Sequence, residues 1–287
     1  MDTSNLFRVD GMVAVVTGGA TGIGLMISRA LLSGGASKVY ILGRRSSALS
    51  AAASQNPGLT PIQCDITSKA SLQAAVDQIT QDVGYVNLLV ANSGILGPTA
   101  SFVPGQSVSE LRRHMFDETS MEEFNDVFMV NTSATYFSVL AFLELLDAGN
   151  KHALAGKGNF GAPVKEGEGV PSVQSQVIVT SSVGAFLREW MCAPAYAASK
   201  AAIVHLVKHT SSGLAAHGIR VNALAPGSRD PGSEDPSDPV FIPARRFGGE
   251  EEMGGTLLYL ASRAGSFCNG LILLNDGGRL GVTMSTY

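Results

Sequence analysis

Met12-Val13-Ala14-Val15-Val16-Thr17 runs straight into Gly18-Gly19-Ala20-Thr21-Gly22-Ile23-Gly24. Beyond the glycines, Ile23, Ile27, Ala30 and Leu31 recur at helical spacing as far as Gly34-Gly35. A short apolar, β-branched run suits a strand that a parallel sheet buries on both faces. Strand, glycine turn and helix in that order give the glycines a physical purpose. They permit a tight turn and close backbone approach, and the helix N-terminus offers free N–H groups and a positive dipole end to a pyrophosphate. The spacing is Gly-x3-Gly-x-Gly at Gly18, Gly22 and Gly24, not the Gly-x-Gly-x2-Gly of the commonest dinucleotide folds. A ligand-free glycine turn is the blander alternative, and the strand–turn–helix context weighs against it.

The same alternation continues. Lys38 to Leu42 reads as a second strand and Leu59 to Cys64 as a third, followed by Asp65-Ile66. Ser68 is placed to cap a helix carrying Leu72, Ala75, Val76 and Ile79 at helical spacing. Val86 to Val90 gives a fourth strand, ending in Ala91-Asn92-Ser93-Gly94, and Val177 to Thr180 a fifth. Strands and helices alternating at this length predict an α/β fold: a doubly wound parallel sheet of Rossmann type, in three α-β-α layers. We expect one domain over 1–287 that both binds a dinucleotide and holds the catalytic site. Ligands in such sheets bind beyond the carboxyl ends of the strands, where Asp65 and Asn92 both fall.

At the end of the second strand stand Gly43-Arg44-Arg45. A carboxylate there would bind the ribose hydroxyls of NAD; two arginines suit a 2′-phosphate and favour NADP(H). Ordinary solvated loop arginines are the competing explanation.

The chemistry is expected at Tyr196-Ala197-Ala198-Ser199-Lys200. Tyrosine and lysine four apart on a helix share a face, with roughly 5–6 Å between their Cβ atoms. A free tyrosine holds its proton to a pKa of about 10, and a nearby cation would lower that value and make the phenol useful in proton transfer. Such a pair is common by chance; its company in the rest of the chain gives it weight.

With 45% hydrophobic and 15% charged residues, the 287-residue chain has material for a large core and too little charge for disorder. A net charge of −4 gives no reason to expect nucleic acid. Cys64, Cys192 and Cys268 cannot all pair and lack metal-ligand spacing, which fits a reducing compartment. His205 and His209, four apart on one helix, lack a carboxylate or cysteine to complete a metal set, so no metal is expected. No secretory signal precedes Asp10, and no apolar run reaches the roughly 20 residues a bilayer requires. A cytoplasmic protein without membrane partners is the expectation.

Taken together, the chain resembles the short-chain dehydrogenase/reductase family. The residues carrying the resemblance are Thr17-Gly18-x3-Gly22-x-Gly24, Asp65, Asn92-Ser93-Gly94, Asn131, Ser182, Tyr196-x3-Lys200, Pro226-Gly227, and a tail with Arg246-Phe247-Gly248, Glu251-Glu252 and Leu274-Asn275-Asp276-Gly277-Gly278. The resemblance implies catalysis by Ser182, Tyr196, Lys200 and Asn131. Tyr196 would act as general acid/base and Ser182 would hold the substrate oxygen. Lys200 would bind the nicotinamide ribose and depress the tyrosine pKa, and Asn131 would hold a water in the proton relay. It further implies cofactor contacts from Gly18, Thr21, Gly22, Ile23 and Gly24, from Arg44, Arg45, Asp65 (at the adenine) and Ile66, and from Asn92 (bracing the sheet) and Gly94. Asn131, Tyr196, Lys200, Pro226 and Gly227 complete that set. A homodimer or homotetramer is implied as well.

Two departures stand out. Such proteins usually place the serine 13 residues before the tyrosine, whereas Ser182 lies 14 before and Ser181 15 before, so both serines stay candidates. After Pro226-Gly227, where an apolar residue and a threonine usually serve the cofactor, Ser228 to Pro236 is polar and proline-rich within a substrate loop spanning about 226–247.

Two connections look like insertions: 97–120, from which Phe102, His114 or Phe116 would reach the substrate cleft unless they serve packing, and the glycine-rich 148–174, read as a surface excursion. Phe186, Leu187, Trp190, Met191 and Cys192 form a mostly apolar loop expected to line the pocket, interrupted by Arg188 and Glu189. An apolar pocket suits a ketone or secondary alcohol on a lipophilic or aromatic body. The leading expectation is therefore NADPH-dependent reduction of a ketone to an alcohol, or the reverse. A dinucleotide-binding sensor without turnover, or the same site used for C=C or imine reduction or cyclisation, are the alternatives.

Overall fold

The computed structural model describes residues 3, 5–99, 105–156, 158–189, 192–227, 235, 237–238 and 240–287. Seven strands form one sheet: β1 (Val13–Thr17), β2 (Lys38–Gly43), β3 (Leu59–Gln63), β4 (Leu88–Ala91), β5 (Gln176–Thr180), β6 (Arg220–Pro226) and β7 (Ile272–Asn275). Their order is β3-β2-β1-β4-β5-β6-β7, and every pairing is parallel. The direction of winding reverses between β1 and β4, so the crevice for a ligand opens at their carboxyl ends.

The helices are α1 (Gly22–Ser33), α2 (Ser46–Gln55), α3 (Lys69–Asp82), α4 (Val108–Arg112), α5 (Met121–Phe128), α6 (Thr135–Ala141), α7 (Leu143–Ala155), α8 (Pro194–Leu214) and α9 (Glu250–Ala261). Alternate residues of one strand enter different cores. Val13 and Val15 pack with α3, α6, α7 and α8, whereas Ala14 and Val16 pack with α1, α2 and α9. Every residue of β1, β4, β5 and β6 is buried, because helices cover both faces and no solvent-facing position is left to be polar. The doubly wound three-layer fold expected from the sequence is the one observed.

Both stretches read as insertions contain helical segments among the described residues. The 148–174 stretch begins inside α7, which runs on to Ala155. Gly149 is a helix glycine at a close approach: a Cβ there would lie 2.2 Å from the Val86 carbonyl oxygen. Phe160 and Val173 are core residues, and Ser172 N–H donates to Gly161 O at 2.9 Å, closing the excursion at its base. In the 97–120 stretch, α4 carries a Ser107–Glu110 capping box and leads into a π-helical turn over Arg113–Asp117. A second π turn, Met129–Ala134, sits between α5 and α6 and contains Asn131.

Among the described residues no single helix is long and apolar enough to cross a membrane. The bent pair Met121–Ala141 and Leu143–Ala155 reaches that length and composition only when joined. Ala134, Val139, Phe142, Leu145 and Leu146 of that pair are buried in the protein core.

Candidate active site

A cleft of about 530 Å³ opens at the carboxyl ends of the strands. Its first wall is the turn from β1 into α1, where Gly18 (φ +66°) and Gly22 (φ +52°) hold left-handed conformations. A Cβ on Gly24 would come within 2.1 Å of Gly18 O, so the turn closes only around glycine. A Cβ on Gly22 would meet no protein atom within 4 Å, so open space faces it. Thr21 precedes α1 without capping it through its side chain, and the first turn has no acidic residue. The leading N–H groups of α1 are thus left to an anion, which fits the pyrophosphate of a dinucleotide.

The far end of the cleft is bordered by Arg44 and Arg45, both exposed, at the end of β2. Asp65 lies beside them. The N–H and Oγ1 of Thr67 donate to its Oδ1 at 3.0 and 2.8 Å and hold its carboxyl below the usual range, with a smaller contribution from Arg44. Ile66 also borders the space. Across the switch point, Thr17 clamps the end of β4: its Oγ1 accepts from Asn92 N–H and Ser93 N–H at 3.0 and 3.1 Å, while Asn92 Nδ2 donates to Thr17 O at 3.1 Å. Gly94 follows, exposed at the cleft wall. Pro226 and Gly227 form part of the opposite wall, with Gly227 N–H donating to Asn275 O at 2.9 Å.

The reactive side chains meet where β5 ends and α8 begins. The Ser182 hydroxyl accepts Gly184 N–H at 3.0 Å and sits beside the Tyr196 phenol, whose pKa it draws down. Ser181, its neighbour, is buried and donates to Lys200 O at 3.1 Å, so it faces into α8. Ser182 is thus the serine turned to the phenol. Gly184 lies against the tyrosine ring: a Cβ there would sit 3.3 Å from Tyr196 Cε1 and from Cys192 Sγ.

Burial pushes the Tyr196 phenol up, and the neighbouring Ser182 hydroxyl pulls it back down. Lys200 Nζ donates to Thr180 O at 2.8 Å and lies 5.7 Å from the tyrosine ring centroid, over the ring. Its own pKa is lowered to about 8, because the ammonium is only 4% exposed.

Asn131 is buried and is not among the residues that border the cleft. Its Oδ1 accepts from Ile95 N–H at 2.8 Å, and its Nδ2 donates to Ile95 O at 2.9 Å and Ser199 Oγ at 3.0 Å. Both donor hydrogens of the amide are committed to protein partners. Asn131 instead fixes Ile95, which does line the cleft.

Of the remaining candidates, Gly22 shapes the turn without lining the cleft. Phe116 is 71% exposed under the Arg112 guanidinium, and His114 pairs with Glu118; neither borders the cleft or packs in the core. Phe186 and Leu187 pair with the chain's last residues. Phe102, Trp190, Met191 and most of the polar stretch after Gly227 (228–234 and 236) lie outside the described residues. His205 and His209 are exposed, and among the described residues no three His, Cys, Asp or Glu side chains gather to hold a metal. Sequence reasoning missed Leu96, Val130 and Thr180, which line the cleft, and Ser199, which holds Asn131. Only Ser199 had a usable signal, since it lies on the turn between Tyr196 and Lys200.

Comparison with known proteins agrees with this geometry. Residues 12–154 match the family model described as short chain dehydrogenase, and residues 164–279 one described as enoyl-(acyl carrier protein) reductase. The chain is 60% identical over 274 residues to short-chain dehydrogenase/reductase SAT3 of Stachybotrys chartarum, covering 91% of this chain and 100% of that protein. It is 29% identical to 5-keto-D-gluconate 5-reductase of Escherichia coli (strain K12), covering 96% and 98%. A Pseudomonas aeruginosa RhlG/NADP active-site complex superposes with a TM-score of 0.76 at 25% identity, covering 96% of this chain and 99% of that one. With its glycine turn, its parallel sheet and the Ser182–Tyr196–Lys200 group at the head of α8, the chain belongs to the short-chain dehydrogenase/reductase family of oxidoreductases.

Proposed function

We propose that this protein is an NADPH-dependent reductase of a ketone on a lipophilic or aromatic small molecule, able to run in reverse as an alcohol dehydrogenase. The observation that carries this is the gathering of Ser182, Tyr196 and Lys200 in the same cleft as the glycine turn. When bound, the cofactor supplies a hydride to the carbonyl carbon. The protein supplies the proton and the geometry. Tyr196, kept protonated by burial, donates its phenolic proton to the carbonyl oxygen, and the two-electron reduction closes as a secondary alcohol. Ser182 holds that oxygen beside the phenol. Lys200, anchored to Thr180 O, brings a positive charge beneath the ring that favours the phenolate left behind.

Arg44 and Arg45, with no carboxylate at the end of β2, would receive the 2′-phosphate of NADP(H). The NADP of the similar Pseudomonas structure supports that choice, and the name of the Escherichia coli relative supports a carbonyl substrate. We further infer one catalytic domain over 1–287, assembly as a homodimer or homotetramer, and a cytoplasmic location. Titration of the purified protein with NADPH and NADH, followed by cofactor oxidation against a panel of ketones, tests the proposal. Tighter NADPH binding with turnover of a ketone is expected. Binding without turnover across the panel would favour a sensor, and preference for NADH would remove the arginine assignment.

A further inference from the structure

Ser199 stands between the two reactive residues of α8 and is 0% exposed. A serine buried inside a helix competes for the helix's own carbonyls, so it is a poor choice there unless the hydroxyl has a use. Here the hydroxyl is engaged on both sides. It donates to Tyr196 O at 2.7 Å and accepts from Asn131 Nδ2 at 3.0 Å. The Ser199 carbonyl accepts from Thr132 Oγ1 at 3.2 Å. Asn131 and Thr132 are consecutive residues of the π turn Met129–Ala134, which thus sends two neighbouring side chains to one residue of α8. Such turns inside α-helices are frequent at functional sites.

The partners fix the direction of every bond. Ile95 N–H can only donate, so Asn131 Oδ1 accepts it, and the amide presents Nδ2 to Ile95 O and Ser199 Oγ. The Tyr196 carbonyl can only accept, so the single hydroxyl proton of Ser199 points there. A continuous donor-to-acceptor chain therefore runs from Ile95 on the cleft wall, through Asn131 and Ser199, to the peptide of Tyr196. Both side chains in it are buried, where each bond polarises the next. The other flank of the same helical turn is held separately by β5. Ser181 Oγ donates to Lys200 O at 3.1 Å, and Lys200 Nζ donates to Thr180 O at 2.8 Å. The strand thus holds Lys200, and the π turn holds Tyr196.

We propose that Ser199 is a positioning residue for the proton donor: it sets the Tyr196 peptide against the cleft wall at Ile95 and so fixes where the phenol stands. The role rests on the reductase function proposed above. Proton donation needs the phenol within about 2.6–3.2 Å of the substrate oxygen, and a misplacement of about 1 Å costs roughly 10²-fold in rate. Ser199 is not among the residues that line the cleft, so its hydroxyl acts through Tyr196. Losing it is a loss of kcat and leaves KM and cofactor affinity nearly alone.

The test compares the full-length protein with Ser199→Ala, Asn131→Ala and the double variant. Alanine is a stronger helix former than serine, which keeps α8 intact in Ser199→Ala. NADPH Kd is measured first, then kcat and KM for 1-tetralone at saturating NADPH. Ser199→Ala should lower kcat by about tenfold or more, with KM and NADPH Kd within about threefold of the unmodified protein. Asn131 reaches Tyr196 through Ser199, so the double variant should have the kcat of Asn131→Ala within about twofold. A Ser199→Ala kcat within about threefold of the unmodified protein, a loss carried by KM, or a double-variant loss equal to the product of the two single losses overturns the positioning role and leaves the reductase function standing. If the unmodified protein turns over neither 1-tetralone nor any ketone of the panel, the reductase function fails by itself. Backbone hydrogen exchange in the first turn of α8, read by mass spectrometry without cofactor, then decides Ser199. Exchange faster by about fivefold or more in both Ser199→Ala and Asn131→Ala supports the chain to Tyr196, and unchanged exchange in either overturns it.

Discussion

Asn131 grips both backbone polar groups of Ile95, accepting its N–H at 2.8 Å and donating to its carbonyl at 2.9 Å. The loop after β4 is thereby held as though by another strand, through one side chain from the π turn between α5 and α6. Asn131→Ala would strand two backbone groups, at a cost of about 1–3 kcal/mol each. We expect a stability loss of about 3 kcal/mol in urea unfolding, with weaker cofactor binding because Ile95 lines the cleft. Wild-type stability in the variant would show that water replaces the amide without cost.

Tyr196→Phe removes the proton donor and keeps the ring that lies under the Lys200 ammonium. General acid catalysis contributes about 10²–10⁴ in rate. Single-turnover kinetics should show a kcat loss in that range, with NADPH affinity changed less than threefold. Turnover within tenfold of wild type would move the acid to another group.

Replacing Arg44 and Arg45 together by alanine should weaken NADPH binding by about a hundredfold, as expected when charge-assisted bonds to a phosphate are lost. NADH affinity should hardly change. Calorimetric titration with both cofactors measures the difference, and equal losses would mean that these side chains are only solvated loop residues.

Lys200 gives stability a pH dependence whose sign follows from its burial. Its pKa falls from 10.5 to about 8 on folding, so between those values the unfolded chain carries a proton that the folded chain lacks. Stability attributable to this group therefore rises with pH through the window, by up to about 3 kcal/mol. Lys200→Met lacks the slope. Unfolding of both proteins at about pH 7.5, 9 and 10 should show the wild type gaining on the variant as pH rises. A constant gap would mean the ammonium is better solvated than its 4% exposure implies.

Gly149→Ala should destabilise the protein by about 1–3 kcal/mol even though alanine is the better helix former. The added methyl would sit 2.2 Å from Val86 O, a backbone atom with no freedom to retreat. A thermal melt decides it, and a rise in Tm would place α7 further from β4.

That glycine shows why the sequence was readable in some places and opaque in others. β1, β4, β5 and the turn into α1 were legible because burial on both faces dictates unbroken apolar runs, and because close backbone approach dictates glycine at Gly24. Gly149 carries the same letter for a different reason, a helix crossing a strand end, and its neighbours Gly156, Gly158 and Gly161 disguised it as loop. Ser182 and Tyr196 were found by type and spacing. The grip of Asn131 on Ile95, 36 residues away, and the pairing of Thr286 with Phe186, 100 residues away, are long-range contacts to backbone groups that every residue possesses. No local pattern announces them. The burial of Lys200 was hidden for a related reason: sequence shows that an ammonium is near Tyr196, but not that it donates to Thr180 O.

Ser181 and Ser182 occupy adjacent positions at the end of β5, one turned to the helix that carries Lys200 and the other to Tyr196. The pleat makes these two orientations strictly alternate. A residue inserted within β5 would exchange the serines and leave the phenol facing the wrong side of the strand. A residue inserted after Ser182 only lengthens a loop that the chain's own tail supports. Length variation should therefore be permitted downstream of the serine and barred upstream of it. The 14-residue interval between Ser182 and Tyr196 in this chain is an instance of the permitted kind.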